Sequence, residues 1–163
     1  MFLDSVEGFV AGGLEAGDAV IVIATTPHLD TLEDRLRHRG LKVDKYCEED
    51  RYIPVDAEET LSKFMVEGLP DEELFTQVVT QLLTRAKGTK SNGRGRRVRA
   101  FGEMVAMMWG QGLTDATIQL EHLWHALCRK EAFSLFCAYP RSGFAQDAEA
   151  SIKEICAAHS RSV

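Results

Sequence analysis

The sequence lacks an apolar run long enough to cross a membrane, and Asp4 and Glu7 interrupt its first residues with charge. A transmembrane helix needs roughly 20 apolar residues in a row, and a signal peptide needs an uninterrupted apolar centre. The four cysteines form no C-x-x-C pair and no zinc-type spacing with histidine. We therefore expect a cytoplasmic protein with reduced thiols, no membrane anchor and no metal site.

Glycine-rich phosphate-binding motifs are absent as well, since neither G-x-x-x-x-G-K-[ST] nor G-x-G-x-x-G occurs. Their absence argues against hydrolysis of a nucleoside triphosphate, although weak anion binding stays open. No spacing of Ser, Cys, His and Asp selects a nucleophilic triad. His122 and His125 are interpreted as a pair on a helix surface. We expect no catalytic residue and no cofactor.

Positive charge is concentrated in one segment. Six basic residues and no acidic one lie between Lys87 and Arg99, in a chain whose net charge is −6. The segment 87–97 is also rich in Gly, Ser and Asn, which predicts a surface loop. It carries no aromatic residues for base stacking, and the acidic remainder would repel phosphate. We interpret it as a solvated loop and expect no nucleic-acid binding.

The sequence does contain alternating strand and helix patterns. The apolar run Ala19–Ala24 predicts a strand covered on both faces. Further strands are predicted at Tyr52–Val55, Val98–Phe101 and Phe133–Ala138, with a short extended piece around Val43. Helices are predicted at 3–16, 27–39, 57–66, 71–86, 103–109, 114–130 and 145–159. This alternation predicts a single three-layer α/β/α domain with a mainly parallel sheet.

Polar residues mark the starts of several predicted helices. Thr26 is the predicted N-cap of the helix after the first strand, with Pro27 at its first helical position. Asp56 is predicted to cap the helix that starts at Ala57, and Asp71 to open the next one. The helix after the first strand would therefore begin at the carboxyl end of that strand, where free N–H groups favour anions.

Carboxyl ends of parallel strands meet in a crevice where open α/β proteins bind ligands. The residues that end or follow the predicted strands are expected to line such a crevice: Thr25, Thr26, His28, Phe101, Gly102, Glu103, Met104 and Tyr139. Glu103 and Tyr139 would supply polar specificity, and Phe101 and Met104 apolar contact. Replacing Glu103 with Gln should then weaken ligand binding and leave the melting temperature of the unliganded protein nearly unchanged.

A structural interpretation of the same residues stays open. Thr26 could simply cap its helix while His28 faces solvent. Glu103 could do no more than stabilise a first helical turn. The stripe formed by Met104, Met107 and Met108 is more often core than pocket lining.

Four blocks of the sequence resemble one family, the MEDS domain (methanogen/methylotroph, DcmR sensory domain). The blocks are FLDSVEGFVAGGLEAGDAVIVIATTPH (2–28), VDAEETLSKFMVEGLPD (55–71), RVRAFGEMVAMMW (97–109) and FSLFCAYP (133–140). They follow in the right order over most of the chain. The resemblance divides the chain into a sensory domain, 1–150, and a C-terminal helical tail, 151–163, that would lead towards an output module.

The resemblance implies a non-catalytic sensor of bacterial signal transduction that binds a small organic or hydrocarbon-derived ligand. Its fold would be related to the RecA/KaiC-type ATPases with the phosphate-binding motif lost. Its partner would be a histidine kinase or a transcriptional output module. Family members usually begin with an extra strand carrying His and Tyr, so this chain is expected to be truncated or to lack an edge strand. The segment 87–97 is also longer and more basic than the family pattern.

Two other functions stay open at this stage. One is a degenerate RecA/KaiC-type protein that holds a nucleotide without hydrolysis, in a manner sensitive to changes at Thr26 or Arg99. The other is a protein–protein adaptor with no small ligand. A homodimer formed through the helix 114–130 is a further option.

Overall fold

The structure is a computed structural model that describes residues 2–88, 96–131 and 133–137. Seven helices and six strands are defined in these ranges. In chain order they are α1 (Phe2–Glu15), β1 (Ala19–Ala24), α2 (Thr26–His38), α3 (Val43–Glu48), β2 (Tyr52–Asp56), α4 (Ala57–Ser62), β3 (Met65–Val66), β4 (Leu69–Pro70), α5 (Glu72–Lys87), β5 (Val98–Gly102), α6 (Met104–Gly110), α7 (Thr114–Lys130) and β6 (Ser134–Cys137). The predicted helix 145–159 and the proposed domain limit at residue 150 lie outside the described residues.

Four strands form one parallel sheet in the order β2-β1-β5-β6. In this sheet Ile21 of β1 lies between Ile53 of β2 and Ala100 of β5. All six residues of β1 are buried, as expected for a central strand with helices on both faces. The predicted α/β class and mainly parallel sheet are confirmed.

The two faces of the sheet are covered by different helices. Alternate residues of β1, such as Val20 and Val22, pack in a core formed with α1, α2 and α3. The intervening residues, such as Ile21 and Ile23, pack in a second core formed with α4, α5, α6 and α7. The period of two along the strand thus sends successive side chains into opposite layers, which confirms the three-layer arrangement.

Two element predictions were wrong. Val43 is not extended but begins α3, where its side chain is buried against the sheet. The helix predicted to run from Ala57 to Val66 ends at Ser62 and is followed by the hairpin β3–β4. The hairpin turn consists of Glu67 and Gly68, which both have positive φ, the backbone that two-residue hairpin turns require.

At the amino ends of the parallel strands, here called the amino edge of the sheet, arginine side chains bind neighbouring elements. Arg99, near the start of β5, donates from Nε to Asp18 Oδ2 (3.1 Å) and from Nη1 to the Phe9 carbonyl (3.0 Å). Arg51 precedes β2 and donates to the Leu14 carbonyl (2.6 Å). Arg99 therefore lies at the opposite edge from Thr26, and the two residues do not form one nucleotide site.

The strand order reverses direction between β1 and β5. The chain passes from β1 to β2 on one side of the sheet and then returns to place β5 on the other side of β1. In open α/β sheets, such a switch point leaves a crevice outside the carboxyl ends of the two central strands. A ligand site is therefore expected outside the carboxyl ends of β1 and β5.

Candidate functional site

Helix α2 begins at the switch point, directly after β1. The predicted cap at Thr26 was wrong by one position: Thr25 is the N-cap, with extended backbone and no side-chain capping bond, and Thr26 is the first helical residue. Pro27 is then the second helical residue, which is tolerated because its missing N–H would have no intrahelical partner there. The backbone donors at this helix start must be satisfied from other elements.

Glu103 satisfies one of these donors. It follows β5, is only 4% exposed, and accepts a hydrogen bond from the Thr25 N–H through Oε1. Its own N–H donates to the Ile23 carbonyl at 3.0 Å, which continues the contact between β5 and β1. A buried carboxylate needs such partners to offset its desolvation, and here a neighbouring strand end provides them.

His28 provides a second partner for Glu103. Its Nδ1 lies 2.9 Å from Oε2 and 3.1 Å from Oε1 of Glu103. A carboxylate only accepts hydrogen bonds, so Nδ1 carries the proton. The His28 side chain is 43% exposed, which leaves part of the ring at the protein surface. The interpretation in which His28 simply faces solvent is therefore wrong.

Asp56, at the end of β2, contacts α2 from the other side of β1. Its Oδ2 accepts from the Thr26 hydroxyl at 2.7 Å, and its Oδ1 accepts from the Glu59 N–H at 2.9 Å. The Thr26 hydroxyl is the main cause that lowers the pKa of Asp56 below its usual value, and the Glu59 N–H adds to it. Asp56 is the N-cap of α4, as predicted, and its contact with Thr26 was missed by the sequence analysis.

The apolar residues predicted for the crevice are covered in this structure. Phe101 is 1% exposed and packs with Phe136, with ring centroids 5.9 Å apart. Met104 is fully buried in the opposite core, on α6. Gly102, between Phe101 and Glu103, is also buried. Tyr139 lies outside the described residues.

The chemistry available at this edge is hydrogen bonding. Glu103 accepts from Nδ1 of His28 and so orients the ring. Within 2–88, 96–131 and 133–137, no group of three His, Cys, Asp or Glu side chains could hold a metal ion. In the same ranges, no helix is both long and apolar enough to span a bilayer.

Two other cavities lie away from the switch point. One, of about 410 Å³, lies between α1 and α2 and is lined by charged residues that include Glu7, Arg35 and Arg39. Arg35 and Arg39 both bind Glu7, so these charges serve the packing of the two helices. The other, of about 460 Å³, lies between the β3–β4 hairpin and the turn before α7, where Leu69 and Leu113 are exposed.

Comparison with known families identifies the chain. The sequence model of the MEDS family, described as MEthanogen/methylotroph, DcmR Sensory domain, matches residues 1–160. No curated protein and no solved structure matches. Because the family match covers nearly the whole chain, the protein belongs to the MEDS family of sensory domains.

Proposed function

We propose that this domain is a non-catalytic sensor that binds a small organic ligand in the crevice at the carboxyl ends of β1 and β5. One observation carries the proposal: Thr25, His28 and Glu103 meet at the switch point of the sheet of a sensory-domain family member. A half-exposed imidazole oriented by a buried carboxylate offers directional hydrogen bonding beside apolar strands. Such convergence of a few polar groups is typical of small-molecule sites.

Each predicted residue has a proposed role in this site. His28 would present its ring to the ligand and Glu103 would orient that ring, while Thr25 and Thr26 would form the floor at the start of α2. Phe101, Gly102 and Met104 would support the site from the two cores, since they are buried. Tyr139, two residues after β6, is proposed to add a hydroxyl from the neighbouring strand end.

A sensor needs binding without turnover, and the contacts of Glu103 favour that role. Both carboxylate oxygens are engaged, Oε1 with the Thr25 N–H and both with His28. A general base must instead be available to take a proton from the substrate. We therefore assign Glu103 a positioning role and assign no catalytic residue.

The output of the sensor is proposed to be a histidine kinase or a transcriptional module, in the same polypeptide or in a partner. This proposal follows from membership of a sensory family. Relationship to the RecA/KaiC-type fold is likewise a proposal, supported by a parallel sheet in which the helix after β1 begins where a phosphate-binding loop would lie.

A thermal-shift screen of the purified chain tests the proposal. The panel contains one-carbon and halogenated compounds, common metabolites and nucleotides. A compound at a hundred times its dissociation constant stabilises the folded state by about 2.7 kcal/mol. Replacement of Glu103 by Gln should reduce the shift, because the His28 ring loses its charged partner. The exposed Glu15 at the end of α1, replaced by Gln, is the matched control.

Two outcomes of the screen would contradict the proposal. If no compound shifts a cooperative melting transition, the crevice is not a small-molecule site. If a compound does shift the transition equally in the wild-type protein and in Glu103→Gln and His28→Gln, it binds elsewhere. In that case the cavity between α1 and α2 would be the next place to examine.

A second candidate function, that of an adaptor, is favoured by a different surface. Among the described residues, the exposed large apolar side chains are Val66, Leu69, Leu113 and Ile118. Leu69 and Leu113 line the same cavity, together with the carboxylates of Glu67 and Asp115. An adaptor would bind its kinase through this surface. Leu69→Asp combined with Leu113→Asp should then abolish kinase binding, whereas Glu103→Gln should leave it unchanged.

A further inference from the structure

The start of α2 stands where open α/β proteins bind phosphate, at a helix N-terminus outside the carboxyl end of a central strand. Free N–H groups and the positive end of the helix dipole attract anions to such a position. Whether this crevice accepts a phosphorylated or carboxylated ligand therefore depends on what already occupies the donors of the first turn.

The protein's own carboxylates occupy them. The Thr25 N–H donates to Glu103, and the Thr26 hydroxyl donates to Asp56. The Thr26 N–H also approaches Asp56 and helps to lower its pKa. Pro27 has no N–H, and the Leu29 N–H is used inside the helix by the Thr25 carbonyl.

These carboxylates come from two different strand ends and flank the helix start from both sides. Glu103 follows β5 and Asp56 ends β2, the two strands that border β1. The connecting segments 25–30, 56–62 and 103–110 contain no Lys or Arg. The imidazole of His28 pairs with Glu103, whereas Asp56 accepts from neutral donors, the Thr26 hydroxyl and the Glu59 N–H. An anionic ligand would therefore meet repulsion at the position where the fold alone would attract it.

We infer that Glu103 and Asp56 are specificity-determining residues that exclude phosphate- and carboxylate-bearing compounds from the crevice and restrict it to ligands without negative charge. The inference rests on the proposed function, since it describes the same crevice. Charge exclusion also gives a physical reason why this sensor would not bind nucleotides in the crevice. Loss of the glycine-rich motif removes the phosphate cradle, whereas these carboxylates fill the remaining anion position.

Nuclear magnetic resonance titration of the full chain tests the inference, with the backbone amides of Thr25 and Thr26 as reporters. The probes are inorganic phosphate and AMP, each compared with sodium chloride at the same ionic strength. In the wild-type protein we expect neither probe to shift these amides beyond the salt control. In Asp56→Asn combined with Glu103→Gln, we expect saturable shifts, with phosphate bound at least about tenfold more tightly than by the wild-type protein.

Controls and single variants keep the result interpretable. Asp34→Asn removes one exposed negative charge from the same helix but leaves its first turn unchanged, so it should not gain phosphate binding. If the double variant does not fold, the two single variants should each show part of the gain. A variant that folds and gains no phosphate binding overturns the inference, because the carboxylates would then not be the cause of exclusion.

Failure of the inference and failure of the proposed function give different results. Phosphate or AMP bound at Thr25 and Thr26 of the wild-type protein, as tightly as by the double variant, would overturn the charge exclusion and leave the crevice as a ligand site. Uncharged compounds that shift these amides support the inference together with the proposed function. If uncharged compounds never shift them while the double variant gains phosphate, the proposed function fails and the charge exclusion stands.

Discussion

The amino ends and the carboxyl ends of the parallel strands, the amino edge and the carboxyl edge of the sheet, both carry ionisable side chains. Those side chains have different kinds of partner at the two ends. At the amino edge, Arg51 and Arg99 donate to backbone carbonyls, and Asp18 is paired with Arg99. At the carboxyl edge, Glu103 and Asp56 accept from the start of α2 and from the side chains of His28 and Thr26. The first set connects helices and strands, while the second includes the His28 side chain, which is 43% exposed to solvent.

If the proposed function holds, this difference separates residues that stabilise the fold from residues that determine specificity. Replacing a side chain that donates to a buried backbone carbonyl leaves that carbonyl without a hydrogen-bond partner, which lowers stability. A side chain bound to another partly exposed side chain can exchange its partner for water or a ligand at little cost. We therefore expect changes at the amino edge to alter the free energy of unfolding, and changes at the carboxyl edge to alter binding.

The largest effect is expected for Arg99→Met at the amino edge. The change removes the hydrogen bonds to Asp18 and to the Phe9 carbonyl and leaves Asp18, whose side chain is 13% exposed, without its cation. Loss of a partly buried charge pair and its bonds should lower the free energy of unfolding by about 2–3 kcal/mol. Urea denaturation measures this, and the ring resonances of His28 should not move.

Arg37→Met is the matched control for Arg99→Met. Arg37 pairs with the largely exposed Asp44 at 3.2 Å, and pairs of this kind contribute little because solvent screens them. Its expected effect is below about 0.5 kcal/mol. If the two variants lost equal stability, the amino edge would not have the structural role assigned to it.

A smaller loss is expected for Gly13→Ala on α1. A Cβ at Gly13 would lie 2.8 Å from Cδ of Arg99 and 2.9 Å from Cγ2 of Val20, so α1 or Arg99 would have to shift. Overpacking costs about 1–3 kcal/mol, of which the better helix propensity of Ala returns up to about 1 kcal/mol. We expect a net loss of about 1–2 kcal/mol in urea denaturation.

Gly8→Ala on the same helix sharpens this prediction. Nothing lies within 4 Å of a Cβ at Gly8, so only the propensity gain remains and the variant should be stabilised by about 0.5–1 kcal/mol. Opposite signs for the two variants would confirm that α1 packs closely on Arg99. The same sign for both would show that α1 can move away without cost.

The central strand and two of the three predicted helix caps were predictable because they depend on short-range patterns, whereas the cap predicted at Thr26 was wrong by one position. The run of apolar residues in β1 and the caps Asp56 and Asp71 agree with the structure. Val43 was not predicted to be helical, because its helix has only six residues and is held by burial against the sheet. Propensity alone does not identify such a helix.

The candidate site was predictable as a location but not as a set of contacts. Strand ends predicted that Thr25, His28 and Glu103 lie at one edge of a sheet, and in the structure β1 and β5 are neighbours. The pairing of His28 with Glu103 spans 75 residues, and that of Thr26 with Asp56 spans 30. No sequence pattern encodes which donor meets which carboxylate. Strand order was the missing information.

At the carboxyl edge, Glu103→Gln should cost less than the amino-edge changes. Gln retains an oxygen that can accept from the Thr25 N–H, so the loss is confined to the charge-assisted bond with His28. The expected decrease in the free energy of unfolding is about 1 kcal/mol. This exceeds the near-zero change expected from the sequence, because the side chain is buried. Urea denaturation measures the loss of stability, and the chemical shifts of the His28 ring report the change of its hydrogen-bond partner.

The outcome for Glu103 decides whether the carboxyl edge is distinct from the amino edge. A loss as large as that of Arg99→Met would make Glu103 a structural residue. Unchanged chemical shifts of the His28 ring would mean that the carboxylate does not influence the ring. Either result would remove the basis for assigning Glu103 a positioning role.

The smallest effect is expected for Thr26→Val, and it should depend on pH. The Thr26 hydroxyl is the main cause that lowers the pKa of Asp56 in the folded protein. A carboxyl group with a lowered folded-state pKa adds stability above its unfolded pKa of about 3.9, and this stability is lost as the pH falls through the folded pKa. Because the contact between Thr26 and Asp56 is exposed to solvent, the contribution should not exceed about 0.5 kcal/mol. The wild-type protein should therefore be more stable than the variant by this constant amount above about pH 5, and the two should converge at lower pH.

Thr31→Val is the control for Thr26→Val. Its hydroxyl donates to a backbone carbonyl, that of Pro27, at 3.0 Å, so the effect of the substitution should not change with pH. Urea denaturation between about pH 3 and pH 7 compares the three proteins, and a pH-independent difference for Thr26→Val would show that Asp56 does not use this hydroxyl to stay ionised at the carboxyl edge.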